Sequence, residues 1–328
     1  MTIERRELAC TGVELTSLVL GCAPLGGLFA PVRAEDAAAT LDAAWDAGIR
    51  AFDTAPHYGV GLAEERLGAA LRSWPRSEVV VSSKVGRLLV PTDEDVDGAE
   101  GFFATPRRRR VRDYSRDGVR RSVEQSCERL GVDHLDIALV HDPDDHFDVA
   151  RDEAIPALAE LRGEGIVKAV GVGMNQTAML ERFVAETDID CVLVAGRYSL
   201  LDASAAAVLF PACTARGVAV LAAGVFNSGI LADPRPGATF DYVPASEPLV
   251  ERAIAIRAIC ERRGVAIAAA ALHYVLAHPA VSAVVVGARS AAEVTENARH
   301  LATPLPWDLF DELAAEGLLA APVAGGPR

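Results

Sequence analysis

The chain has no cysteines spaced as C-x-x-C, no long apolar run, no excess of positive charge and no Gly-x-Gly-x-x-Gly after its first strand. Each absence narrows the field. The six cysteines, Cys10, Cys22, Cys127, Cys191, Cys213 and Cys260, are scattered, and several sit in apolar runs. They read as small buried hydrophobes of a reducing compartment. No apolar stretch is long enough to span a bilayer, and TIERRELAC after Met1 carries no signal core. A soluble, cytoplasmic protein without a membrane partner is expected. The net charge of −14 argues against a nucleic-acid partner, because such binding draws on excess Lys and Arg. The arginine run 107–110 lies near the acidic stretch DEDVDGAE and reads as a solvated loop pairing with its own acids. There is no Ser or Cys nucleophile elbow and no metal-ligand cluster.

What is present is a chain of 328 residues, 51% hydrophobic and 24% charged, able to bury a sizeable core. No composition break marks a domain boundary. Residues 6–19 read as a hairpin turning at Thr11 and Gly12. Short apolar runs predict core strands at 18–21, 49–53, 79–84, 135–141, 166–172, 191–195, 218–222 and 283–286. Helical spacing predicts helices at 35–47, 63–71, 117–130, 151–162, 176–184, 204–216, 247–263, 268–277 and 290–301. Strands this continuously apolar belong to a parallel sheet covered on both faces. Strict alternation with right-handed crossovers predicts an α/β fold, a (β/α)8 TIM barrel with an N-terminal β-hairpin. One domain over 1–328 is expected, with its core at about 15–302. A doubly wound sheet is the alternative, but GCAPLGG lacks the glycine spacing it would use. Residues 86–114 break the rhythm and read as a long loop, a lid or a disordered segment.

In such a barrel, functional groups stand at the C-terminal ends of the strands. AFDTAPHYG ends its strand at Asp53, and Tyr58 follows in the loop; the third strand ends at Lys84 and the fourth at His141. Singly, each has a bland explanation: an Asx-capped turn, a solvent-tipped lysine, a capped core histidine. At matching strand ends they make a proton-relay set for a carbonyl/alcohol couple. A tyrosine of pKa ~10 is a poor acid or base near neutrality, and a nearby ammonium lowers it. Asp53 holds that ammonium and offsets its burial, while His141 donates to a substrate oxygen. A Schiff base on Lys84 is the rival chemistry.

DTAPHYG, SSKVGR and LVHDPDD, in this order on strands two, three and four, resemble the aldo-keto reductase superfamily across nearly the whole chain. The resemblance implies a tetrad of Asp53, Tyr58, Lys84 and His141, with Tyr58 as acid/base, and a hairpin closing the barrel floor. It implies a nicotinamide cofactor bound without a Rossmann fold. Its contacts would come from Gly21, Asn175, the Ala222, Gly224, Phe226, Asn227, Ser228 and Leu231 segment, and from Gly287, Arg289, Glu293 and Asn297 at the adenosine end. Two positions depart from the family pattern: Met174 stands in place of a serine, and Ala195 in place of a frequent glutamine, with Arg197 a candidate to compensate. Arg289 favours NADP over NAD, since an arginine forks onto a 2′-phosphate. Ser290 and Glu293 also form a capping box, which explains them without a ligand, at a helix N-terminus that suits phosphate.

DTAPHYG, AGRYSLLD, FNSGIL and GARS resemble the bacterial sugar-dehydrogenase branch, which includes D-threo-aldose 1-dehydrogenases (also called L-fucose or L-galactose dehydrogenases) and pyridoxal 4-dehydrogenase. The implied reaction oxidises an aldose at C1 to the lactone, with hydride passing to nicotinamide C4. His57, Asp142 and the 86–114 loop would line the substrate pocket. The alternatives are an NADPH-dependent reductase of aldehydes or ketones, a pyridoxal 4-dehydrogenase, and a non-catalytic nicotinamide-binding regulator.

Overall fold

A computed structural model describes residues 3–323; the terminal residues of the expected 1–328 domain lie outside the described residues. Eight parallel strands close into a barrel: β3 (Leu18–Gly21), β4 (Ala51–Asp53), β5 (Val80–Val85), β8 (Leu135–His141), β9 (Val167–Met174), β10 (Cys191–Ala195), β11 (Ala219–Ala223) and β14 (Val281–Gly287). This is the expected (β/α)8 architecture. Side chains alternate across each strand, so the barrel has two cores. Val19, Ile137, Leu139, Leu193, Leu221 and Val285 fill the inside, while Leu20, Phe52, Val81, Val140 and Val220 face the helices. The short antiparallel pair β1 (Arg5–Glu7) and β2 (Glu14–Thr16) carries Leu8, Val13 and Leu15 into the inner core, plugging the barrel floor.

Two segments differ from expectation. Residues 86–114 are not an unstructured loop: β6 (Arg87–Pro91) pairs antiparallel with β7 (Arg108–Arg112). Its arginines keep to their own acids only in part. Arg108 pairs with Glu65, and Arg87 with Asp142; Arg110 approaches Glu100 only at 3.7 Å. The second is a small ribbon, β12 (Thr239–Phe240) with β13 (Val243–Pro244), in the loop after β11.

The expected 204–216 helix is broken at Val208 into Ser204–Ala207 and Leu209–Arg216, where Pro211 in the first turn of the second piece supplies no N–H to the first. A further helix, Asp308–Ala315, follows the last predicted one. Cys22, Cys191, Cys213 and Cys260 are buried as expected, but Cys10 is exposed in the floor hairpin and Cys127 is half-buried. Among the described residues, no helix is long and apolar enough to cross a membrane.

Candidate active site

The inner faces of the strand ends form a rim over the packed interior. Asp53, Lys84 and His141 stand there because each continues the inward series of its own strand: Ala51 then Asp53, Val80 and Ser82 then Lys84, Ile137 and Leu139 then His141. All three are buried. Tyr58 comes from the loop after β4, which lies backbone to backbone against the loop after β3. Gly59 makes this possible at φ +61, since a Cβ there would lie 2.3 Å from the Gly26 carbonyl oxygen.

Lys84 Nζ donates to Asp53 Oδ2 at 2.6 Å, to the Thr54 carbonyl at 2.9 Å and to the Tyr58 hydroxyl at 3.0 Å. The ammonium therefore has three acceptors for three donors, which permits a buried charge. Ser82 Oγ donates to the other Asp53 oxygen at 3.0 Å and fixes the carboxylate. The His141 ring stands perpendicular to the Tyr58 ring at 89°, with centroids 5.8 Å apart. The four expected residues are thus brought together.

The electrostatics correct one expectation. Burial pushes the Tyr58 phenol up to about 12; Lys84 pulls the other way and Asp53 adds to the rise. The hydroxyl is packed against a buried ion pair, so desolvation of the phenolate outweighs the help of one ammonium. Burial works against the Lys84 ammonium, but Asp53 and Tyr58 outweigh it and hold the amine protonated. His141 lies well below the usual imidazole range, through burial and then the charges of Arg87 and Lys84. His57 is lowered to about 2 by burial and by Arg87 and Arg110. Its Nδ1 lies 3.5 Å from Glu100 Oε2, but a ring that stays neutral at pH 7 forms no ion pair there.

The expected substrate residues sit at the mouth. His57 packs edge-on to His141 and to Phe102. Asp142 accepts from Arg87 Nη2 at 2.9 Å, and burial raises its carboxyl against the pull of that guanidinium. The β6–β7 insertion roofs this side. Its tip joins the loop after β3 through Phe29 N–H to Gly101 O at 2.8 Å and Phe103 N–H to Gly27 O at 3.0 Å, flanking a bridge between Leu28 and Phe102. Arg87, Phe102 and Tyr114 were missed from the sequence because they lie on this insertion.

The opposite half of the rim is bare. Gly21, Gly173, Ala195, Ala223 and Gly287 continue the inward series of β3, β9, β10, β11 and β14. A Cβ at Gly173 would meet Leu139, Leu193 and Lys84 Cε at 3.5, 3.6 and 3.8 Å, ordinary contacts beside the lysine. Asn175 is exposed just after β9, and Gly224, Phe226 and Ser228 follow β11. Asn227 is buried; its Nδ2 donates to the Gly196 carbonyl at 3.1 Å, and its Oδ1 has no partner among the described residues.

Arg289 is exposed at the start of the Ala291–Ala302 helix, and its N–H donates to Glu293 Oε2 at 3.0 Å; Ser290 caps that helix through Glu293 N–H. Asn297 is half-buried on the same helix. Three expectations are corrected. Ala222 faces the outer core rather than the rim. Leu231 is fully buried, and its N–H is used by the Phe226 carbonyl. Arg197 is tied to Asp241 and Asp202, leaving no free fork to stand in for a glutamine at Ala195. Among the described residues there is no cluster of His, Cys, Asp and Glu that would hold a metal ion.

The family model described as the Aldo/keto reductase family matches residues 17–315. A D-threo-aldose 1-dehydrogenase from Pseudomonas sp is 43% identical over 96% of this chain and 98% of its own length. A pyridoxal 4-dehydrogenase from Microbacterium luteolum is 40% identical over 97% of this chain and 98% of its own. Among solved structures, an aldo-keto reductase from Bacillus halodurans in its holo form superposes with a TM-score of 0.77 at 26% identity, covering 97% of each chain.

Proposed function

The chain belongs to the Aldo/keto reductase family and is an oxidoreductase of CH–OH and carbonyl groups that uses a nicotinamide nucleotide; from that premise we propose that it oxidises an aldose at C1 to the lactone. One observation carries the reading: the hydrogen-bonded chain from Asp53 through Lys84 to Tyr58 ends at a phenol on a barrel rim whose remaining inward strand ends carry no side chain beyond a methyl group. When bound, the nicotinamide supplies the two-electron acceptor or donor of the couple. Gly21, Gly173, Ala195, Ala223 and Gly287 leave the berth for its ring. Asn175, Phe226, Asn227 and Ser228 border that berth, and the unpartnered Asn227 Oδ1 is an acceptor waiting for a donor. Arg289, with no carboxylate paired to its guanidinium among the described residues, supports NADP over NAD.

The chain's own groups manage the proton. Tyr58 takes it from the C1 hydroxyl during oxidation, or gives it to a carbonyl oxygen in the reverse direction. The phenol is protonated near neutrality, so oxidation requires its proton to leave first. The Lys84 ammonium at 3.0 Å is the group that stabilises the resulting phenolate. His141 orients the reacting oxygen.

The sugar assignment draws on the relatives. A second reading, reduction of aldehydes, has its own support in the phenol's high pKa of about 12, the state that donates. A steady-state screen decides between them: L-fucose, L-galactose and D-threo-aldoses, then pyridoxal, then simple aldehydes, each with NAD and NADP forms. Sugar oxidation with NADP, rising from pH 7 towards alkaline pH, supports the proposal. Turnover confined to aldehyde reduction overturns the sugar assignment, and no turnover with any pair overturns the enzymatic role of the site.

A further inference from the structure

The β6–β7 insertion contributes more than a roof: both of its ends grip the His141–Asp142 pair. From its C-terminal end, the Tyr114 hydroxyl lies 2.8 Å from the His141 carbonyl and 2.9 Å from that of Asp142. From its N-terminal end, Arg87 reaches the side chains: Nη1 lies 3.2 Å from His141 Nδ1, and Nη2 donates to Asp142 Oδ2 at 2.9 Å. The two ends are locked to each other at Gly86, where φ is +102 and a Cβ would lie 2.2 Å from Tyr114 Cε1. Arg87 is buried.

A guanidinium has only donors, so the nitrogen facing it must be the acceptor. The ring proton then sits on Nε2. Asp142 Oδ2 lies 3.4 Å from that Nε2, held back by its shorter bond to Arg87. The Nε2–H is therefore left for an incoming oxygen.

We propose that Arg87 is a positioning residue of the reaction: it fixes His141 as the Nε2–H tautomer and keeps Asp142 off that proton, so the imidazole offers one aimed donor to the substrate oxygen. The proposal rests on the reading of the site as a carbonyl/alcohol oxidoreductase. A lysine cannot substitute fully, because one ammonium cannot span Nδ1 and Oδ2 as a planar fork does.

The test uses ¹⁵N histidine spectra of the full chain together with kinetics of Arg87→Met and Arg87→Lys. In the wild type, His141 should show an acceptor-type Nδ1 and a protonated Nε2 across pH 6–8. Arg87→Met should give mixed tautomers and lower kcat by about ten- to a hundredfold, the usual cost of losing a histidine's orienting partner, with KM little changed. It should also make His141 easier to protonate and so move the acid side of the pH profile upward, because the nearest cation is gone and Asp142 favours the proton, although burial, Lys84 and Arg110 still oppose it and His57 faces it as a neutral ring. Arg87→Lys should recover the tautomer and part of kcat. A wild-type ring protonated on Nδ1 overturns the proposal whatever the activity. So does an Arg87→Met or Arg87→Lys protein whose spectra and kcat both match the wild type. Should Arg87→Met not fold, the wild-type spectrum and Arg87→Lys decide. Wild-type protein that turns over nothing in the substrate screen, yet shows the expected tautomer, refutes the functional reading and leaves the ring assignment standing.

Discussion

The two halves of the barrel rim are built on opposite plans. On β4, β5 and β8, every inward strand end carries a polar side chain tied to neighbours by hydrogen bonds. On β3, β10, β11 and β14, and at Gly173 of β9, the same positions carry a methyl group or a hydrogen. One half fixes charges and protons; the other provides room. The contrast shows that a barrel makes a reaction site by omission as well as by placement.

The largest effect should come from cutting the polar half at its centre. Lys84→Met leaves the Asp53 carboxylate buried with only Ser82 as partner. It should cost about 3–5 kcal/mol of stability, the usual penalty for breaking a buried ion pair from one side, read by denaturant unfolding, and should abolish turnover. Tyr58→Phe removes one hydroxyl and leaves the Asp53–Lys84 pair intact. It should cut turnover by about two orders of magnitude or more, with cofactor affinity nearly unchanged. An active Tyr58→Phe enzyme would remove the phenol from the mechanism.

The bare half is probed by filling it. Gly173→Leu is tolerated by the backbone, since its Cβ meets only ordinary contacts. It should keep the fold and weaken nicotinamide binding by about tenfold or more, the effect of some 1.4 kcal/mol; unchanged affinity by titration would mean the ring lies elsewhere. The smallest effect concerns the roofed mouth. His57 stays neutral in the native state down to about pH 2, whereas an unfolded histidine protonates below its ordinary pKa of ~6.5. The unfolded state alone gains the proton as pH falls from that value, so stability is lost on acidification. His57→Asn should lose less stability between pH 7 and 5 than the wild type, by on the order of 1–2 kcal/mol. Parallel slopes would show that His57 titrates alike in both states.

The polar half was legible in the sequence. Asp53, Lys84 and His141 end apolar runs, and the predicted 135–141 and 191–195 strands coincide with β8 and β10, because a buried parallel strand announces itself by composition. The bare half was legible only in part, since a glycine does not say which space it keeps open. The insertion was legible as a break at 86–114, but its strand pairing and the partners of its arginines were not. β7 reads RRRVR, which looks solvated by charge; only tertiary packing reveals that Arg108, Arg110 and Arg87 turn to Glu65, the His57 carbonyl and Asp142. The direction of the Tyr58 shift escaped for a related reason: an ammonium can be inferred from sequence, whereas the depth at which it is met cannot.

The tip of the roof is fastened by peptide groups, at Phe29 with Gly101 and Phe103 with Gly27, while side chains tie down its base. Those fastenings persist whatever residues the ribbon carries towards the chamber. Selection, or an engineer, can therefore vary the side chains of this tip without cutting the peptide hydrogen bonds that hold it in place.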